Sequence, residues 1–248
     1  MVSRSSLAAL AVASLACLCA ASLPRMAAAK GKRCPTGMVS VLGQFCIDPY
    51  EGSIEEKRGR KWKHHSPYES VAGKEIRAVS RKGVYPQAYI SRNEAETACQ
   101  ASHKRLCRSE EWLRACKGRN PSRYPYGDDH KAGYCNDAGV SPLNHYFGAS
   151  SGVDPTAYGW GPMNDPRLNQ LPGSLAKTGA FRKCTNGLRV YDMVGNLHEW
   201  VQDASGTFRG GYYLDTRING EGCDYHTVAH NADYHDYSTG FRCCADTK

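Results

Sequence analysis

Apolar and polar positions alternate from Gly37 to Asp48 (GMVSVLGQFCID), a period of two that predicts a strand pair or a bent strand. Gly52 to Ser80 is polar and rich in breakers, and predicts a long loop with short strands. The pattern then changes period. Ser91-Arg92-Asn93-Glu94 is a capping box, in which the Ser oxygen and the Glu carboxylate satisfy free N–H groups of the first turn. Ala95, Ala98 and Cys99 follow at helical spacing and predict a helix from Arg92 to Ser102. A second helix is expected from Ser109, which can cap it. Glu110 and Glu111 lie in its first turn, and Trp112, Leu113, Ala115 and Cys116 form its buried side. From Gly118 to Gly187 no periodicity survives among Gly, Pro, Asn, Asp and Tyr, so a cross-link or a bound ion has to hold this stretch. Short strands are expected again at Leu188 to Met193, Phe208 to Tyr213 and Thr239 to Ala245. Two early helices followed by loops and short strands predict one α+β domain over residues 30–248.

The N-terminus lies outside that domain. Arg4 precedes an uncharged small-apolar run from Leu7 to Leu23, too short to span a bilayer comfortably, and Ala27-Ala28-Ala29 fits a signal-peptidase site. Residues 1–29 therefore predict a signal peptide cleaved near Ala29-Lys30 and a secreted or periplasmic product. Ser14-Leu15-Ala16-Cys17 only loosely resembles a lipoprotein signal, so lipid anchoring is a minor alternative. No later segment is long and apolar enough to be transmembrane.

Composition sharpens this picture at one point. The chain has 248 residues and 12 Cys, an even count too high for an ordinary cytosolic enzyme. Cys17 and Cys19 leave with the signal peptide, so 12 − 2 = 10 Cys remain, and outside the cytosol they predict disulfides. The net charge of +8 falls to +6 without Arg4 and Arg25. Only Lys57 to His65 (KRGRKWKHH) concentrates it. That run could meet an acidic surface or nucleic acid, but a solvated loop is the simpler account for a secreted chain, and no nucleic-acid partner is expected.

Candidate chemistry is sparse. There is no H-E-x-x-H, P-loop or C-x-x-C. Cys243-Cys244 could be a redox centre, although two structural disulfides explain it better. Asp192 to Glu199 sets two carboxylates around a Gly-Asn turn, where oxygen ligands suit Ca2+. By spacing alone, carboxylates satisfying turn N–H groups are the simpler account. His226, His230 and His235 lie in a Tyr- and Asp-rich stretch without helical support. A polar groove suits them better than a metal site, with His as acid or base.

Several segments agree with one family. They are Gly37-Met38-Val39 through Asp48-x-Tyr50-Glu51, Lys104-Arg105-Leu106-Cys107-x-x-Glu110-Glu111-Trp112, Tyr124-Pro125-Tyr126-Gly127 and Cys135-Asn136. Val190-Tyr191-Asp192-Met193-Val194-Gly195-Asn196-x-x-Glu199-Trp200, Arg209-Gly210-Gly211 and Gly240-Phe241-Arg242-Cys243 complete them. In this order and spacing the chain resembles the formylglycine-generating enzyme, or sulfatase-modifying factor, family. The resemblance implies a variant of the C-type lectin fold, with little regular secondary structure and stabilisation by disulfides and Ca2+. It also implies a Ca2+ site of the Asp192 and Glu199 side chains with the Gly195 and Leu197 carbonyls. Asn136 and Asp137 match half of a second site, with Asp165 as the candidate for the other half. Cys99–Cys243 and Cys116–Cys223 carry over from the family by position. Cys34–Cys46, Cys107–Cys244 and Cys135–Cys184 are inferred for the rest.

The resemblance also exposes a departure. Formylglycine generators hold Cu(I) with two cysteines shortly after a Gly-Gly-Ser motif, and soft thiolates are what Cu(I) needs. Here the chain reads Gly210-Gly211-Tyr212-Tyr213-Leu214-Asp215-Thr216, and the next Cys is Cys223. Copper is therefore not expected, and iron is left open. The expected function is a noncanonical oxidoreductase-family member acting on an extracytoplasmic peptide, protein or small molecule. His226, His230 and Tyr237 are its groove candidates. The alternative is a non-catalytic, Ca2+-stabilised, lectin-like binding or accessory module.

Overall fold

The computed structural model describes residues 33–148, 155–228 and 230–248. The proposed signal peptide, with Cys17 and Cys19, lies outside the described residues. Alternation at the start gives β1 (Val39–Val41) and β2 (Phe45–Ile47), paired antiparallel across a turn. The polar stretch after them is more regular than its composition suggested. It folds as β3 (Gly52–Arg58), β4 (Lys61–His64) and β5 (Ile76–Ser80), a three-stranded sheet in the order β4-β3-β5. The basic run is thus mostly hairpin. Lys57 pairs with Glu75, and Glu56 takes both Arg58 and His65. Its charge is partly neutralised by carboxylates outside the run, a feature that local composition hides.

Helix α1 (Arg92–Ala101) starts at the Ser91–Glu94 box and buries Ala95, Ala98 and Cys99. Strand β6 (Arg105–Leu106) leads into α2 (Ser109–Lys117). Ser109 is the first helical residue and not the cap. Arg108 holds the cap position, and the Glu111 carboxylate accepts its N–H at 2.9 Å. The long middle segment contains α3 (Pro142–Phe147), α4 (Trp160–Met163) and two 3-10 turns. The expected strand at 188–193 forms only an isolated bridge, Thr185 to Tyr191. Strands β7 (His198–Trp200) and β9 (His226–Thr227) were not expected, and β8 (Phe208–Arg209) covers only the start of the strand expected at Phe208 to Tyr213. The C-terminal stretch splits into β10 (Thr239–Phe241) and β11 (Cys243–Asp246).

Strand β10 pairs parallel with β7, giving a sheet in the order β10-β7-β8-β9, while β11 completes the sheet β1-β2-β11-β6. The residue between β10 and β11, Arg242, therefore sits where two sheets meet and is fully buried. Disulfides Cys99–Cys243 and Cys107–Cys244 tie this junction to α1 and to the chain before α2. Cys116–Cys223 fastens α2 to the loop before β9. Cys34–Cys46 closes the front hairpin, and Cys135–Cys184 closes the irregular middle. Where few ladder hydrogen bonds hold the folded chain, these cross-links stabilise it by limiting the unfolded one.

Candidate functional site

The Gly-Asn turn before β7 is built by three residues in left-handed backbone: Asp192 (φ 58°), Gly195 (φ 78°) and Asn196 (φ 62°). Asp and Asn tolerate this region better than other side chains. A Cβ on Gly195 would collide with the Asn136 carbonyl. That close approach lets the Asn196 N–H donate to Asn136 O at 2.8 Å, while Asn136 Nδ2 donates to Asn196 Oδ1 at 2.9 Å. Asn196 Nδ2 in turn donates to Glu51 Oε2 at 2.7 Å.

Charge is concentrated beneath this turn. Glu51, Asp192 and Glu199 are all buried, and so is Arg242. Arg242 Nη2 donates to Glu199 Oε1 at 2.7 Å, and Trp112 Nε1 donates to Glu199 Oε2 at 2.7 Å. Asp192 Oδ2 accepts from the Gly179 N–H at 2.6 Å. Burial pushes the Glu51 carboxyl well above the usual range, and the charges of Asp192 and Glu199 add to the shift. Burial likewise pushes Asp192 up to about 7, against the lowering effects of the Gly179 hydrogen bond and Arg242. Three carboxyl groups share one guanidinium, so ionising all of them would leave a surplus of negative charge. Oxygen donors with that surplus fit a hard divalent cation in charge and ligand type. The Asp192 and Glu199 carboxylates with the Gly195 and Leu197 carbonyls would be the residues to hold it. Part of the lone-pair capacity of Glu199 is already committed to Arg242 and Trp112. Among the described residues, no group of three or more His, Cys, Asp and Glu is placed to hold a metal.

The residues proposed for a second Ca2+ site separate. Asn136 is absorbed into the Gly-Asn turn. Asp137 Oδ2 lies 2.7 Å from His130 Nε2, and its buried Oδ1 has no hydrogen-bond partner. Asp165 goes elsewhere: its carboxylate is held by Arg167 at 2.5 Å, and its carbonyl accepts from the Tyr89 hydroxyl at 2.8 Å. The guanidinium two residues downstream satisfies Asp165 without any contribution from Asp137.

The groove candidates also diverge. His226 is exposed on β9, with Nδ1 3.0 Å from Asp224 O. His230 stacks on Tyr234 at 3.6 Å. Tyr237 is buried against Tyr212 and Tyr213, with ring centroids at 6.0 and 6.2 Å. The three do not share one reactive centre. His235, the remaining histidine of the stretch, hydrogen-bonds Asn164 Oδ1 at 2.8 Å.

A different histidine occupies the interior. His198 lies in β7 beneath the rings of Phe208 (4.4 Å), Tyr212 (4.8 Å) and Tyr225 (5.6 Å). Its Nδ1 is 3.2 Å from Ser238 Oγ and its Nε2 is 3.3 Å from the Tyr225 hydroxyl. The Tyr225 hydroxyl donates to Asp215 Oδ2 at 3.1 Å. Burial, with some help from His230, lowers the His198 pKa to about 3, so the ring is neutral. Sequence reasoning missed His198. Its one signal is its place inside a three-residue strand whose side chains are all buried.

After Gly210-Gly211 the chain makes a tight turn, with Tyr212 and Asp215 exchanging backbone hydrogen bonds at 2.9 and 3.0 Å. Asp215 Oδ1 takes the N–H groups of Arg217 and Ile218 at 2.8 and 3.0 Å. No sulfur lies on this turn, and Cys223 beyond it is bonded to Cys116.

Comparison with known proteins agrees with this architecture. Residues 24–247 match the family model of the sulfatase-modifying factor enzyme 1-like domain. The chain is 25% identical to the formylglycine-generating enzyme of Mycobacterium tuberculosis over 171 residues, which is 68% of this chain and 48% of that protein. It thus spans about half the length of the curated relative it matches. Among solved structures it is similar to PvdO from Pseudomonas aeruginosa, with a TM-score of 0.48, 14% identity and coverage of 82% of this chain and 80% of that one. It is also similar to CarF (TM-score 0.47, 18% identity, 82% and 87% covered). A third similar structure is the Major Tropism Determinant U1 variant (TM-score 0.46, 13% identity, 87% and 54% covered). The chain belongs to the sulfatase-modifying factor enzyme 1-like family, and its mixed helix-and-strand architecture is the C-type-lectin-like fold of that family.

Proposed function

We propose that this chain is an extracytoplasmic member of the family that does not generate formylglycine and acts by binding a ligand. One observation carries the exclusion of formylglycine generation: every cysteine from Cys34 to Cys244 is in a disulfide. The Cu(I) site of formylglycine generators uses two thiolates, and a cystine sulfur is not one. The turn where the family places its copper cysteines carries Asp215, whose carboxylate caps backbone N–H groups. The five cross-links suit an oxidising compartment, and no described helix is long and apolar enough to cross a membrane. A structural Ca2+ at Asp192, Gly195, Leu197 and Glu199 belongs to the same proposal, supported by the surplus of buried carboxylate charge.

Titration of the unreduced protein with Cu(I), followed by incubation with a sulfatase-type cysteine peptide and O2, tests the proposal. No thiolate-bound copper and no aldehyde product are expected. Stoichiometric copper on two thiolates with conversion of the peptide would overturn it.

A second reading, a noncanonical oxidoreductase, is favoured by the hydrogen-bonded chain Ser238–His198–Tyr225–Asp215 beneath Tyr212. A neutral imidazole linking hydroxyls to a carboxylate can move a proton. Stoichiometric iron or copper in the purified protein, together with O2 uptake, would move the function to this reading.

A further inference from the structure

Away from the Gly-Asn turn, α4 stands at the edge of a cleft of about 420 Å3, within the size range of small-molecule sites. Trp160 lines it and is 57% exposed, whereas Trp112 and Trp200 are fully buried. Its ring is held in place. The His235 ring meets it edge-on at 4.7 Å and Tyr234 at 6.2 Å. Asn164 ties the two elements together, accepting from His235 Nδ1 at 2.8 Å and donating to Trp160 O at 3.0 Å. Tyr68 contributes a second, half-buried ring, and Tyr89 also lines the cleft but is only 1% exposed, its hydroxyl donating to Asp165 O. The cleft therefore presents aromatic surface already ordered before any ligand arrives.

Its charge is equally specific. The chain carries 32 Lys and Arg against 24 Asp and Glu, yet Glu69 lines the cleft and no Lys or Arg does. The Glu69 carboxylate makes no hydrogen bond or ion pair among the described residues, and the guanidinium that feels its charge, Arg58, is already tied to Glu56. Burial lowers the His235 pKa, which keeps that ring neutral at neutral pH. The neighbouring Arg167 is tied to the Asp165 carboxylate at 2.5 Å and lies over the Tyr146 ring at 5.0 Å.

From the Trp160 and Tyr68 rings, a carboxylate without an ion pair and a lining free of Lys and Arg, we infer that this cleft binds a small organic cation, an alkylated ammonium group. The negative ring faces attract such a cation, and Glu69 supplies the counter-charge. A saccharide would use the rings but needs several free hydrogen-bonding groups, and both ends of the Asn164 amide are already engaged. The inference rests on the ligand-binding reading above and supplies its ligand class.

Calorimetric titration of the full chain with tetramethylammonium and with choline tests it, alongside glucose and the uncharged carbon isostere of choline. Saturable binding of both cations is expected, about tenfold weaker for the isostere. Trp160→Ala should abolish it and Glu69→Gln should weaken it about tenfold, with the melting temperature kept in both. Both sites are exposed, so Glu69→Gln remains informative if Trp160→Ala folds poorly. No saturable heat with either cation, equal binding of the isostere, or full binding by Trp160→Ala would overturn the inference. Glucose binding in place of the cations would overturn it while leaving the ligand-binding reading standing. Copper on two thiolates would overturn that reading alone.

Discussion

Arg242 and Glu199 form an ion pair with Nη2 and Oε1 2.7 Å apart and side chains 0% and 1% exposed. The pair sits where β10, β11 and β7 converge, and Arg242 also donates to the Asp48 and Tyr191 carbonyls at 3.0 and 2.7 Å. One guanidinium thus links the strand pairings to the Gly-Asn turn. Arg242→Met would leave Glu51, Asp192 and Glu199 without their counter-charge. Removing one partner of a buried pair typically costs about 3–5 kcal/mol. Urea denaturation should show a loss of that order, and a loss below about 1 kcal/mol would contradict this role for Arg242.

Chelation tests the proposed Ca2+. If a cation balances the surplus carboxylates of the turn, EDTA should lower the melting temperature and added Ca2+ should restore it. Asp192→Asn should abolish the response. An unchanged melting curve would count against Ca2+ at Asp192 and Glu199.

His198 predicts a pH dependence. Its folded pKa, about 3, lies below the unfolded value of 6.5, so the unfolded chain binds the extra proton between them. Its contribution is fully present above pH 6.5 and declines as pH falls toward 3. Between pH 6.5 and pH 5 the loss should be about 2 kcal/mol. Asp192 and Glu51, whose carboxyls are pushed up, act with the opposite sign. The His198 part is therefore read as the difference between wild type and His198→Gln across that range. Parallel stability curves for the two would contradict a neutral buried imidazole.

The irregular middle depends on its cross-link. Cys135 and Cys184 are 49 residues apart in sequence, and loop closure of that length is worth about 4 kcal/mol. Paired Cys135→Ala and Cys184→Ala substitutions should destabilise the protein by roughly that amount and expose residues 136–183 to protease first. Uniform proteolysis along the chain would contradict this.

Legibility varied along the chain in a physically consistent way. Helix α1 was readable because its cap, its apolar spacing and its buried face all lie within ten neighbouring positions. The three-stranded sheet was not readable, because Glu55 meets Arg77 and Glu75 meets Lys57 across strands, and these pairs make a polar surface look like loop. The short strands β7 and β9 are three and two residues long, below the length at which a period of two can be seen. Asp192 and Glu199 stood out by spacing, but Arg242, which pairs with Glu199 and faces Asp192, is 43 residues from Glu199 in sequence. Asp165 was placed with Asp137 by residue type, and its near neighbour Arg167 took it instead. The Trp160 cleft gave no sequence signal, since its rings come from three separate segments.

The central claim is that no thiolate is available for copper. Its most direct test is a count of free thiols in the purified, denatured and unreduced mature protein, with non-reducing peptide mapping. The expected result is no titratable thiol and the five pairs Cys34–Cys46, Cys99–Cys243, Cys107–Cys244, Cys116–Cys223 and Cys135–Cys184. Two reactive thiols per chain, at any of these positions, would contradict it.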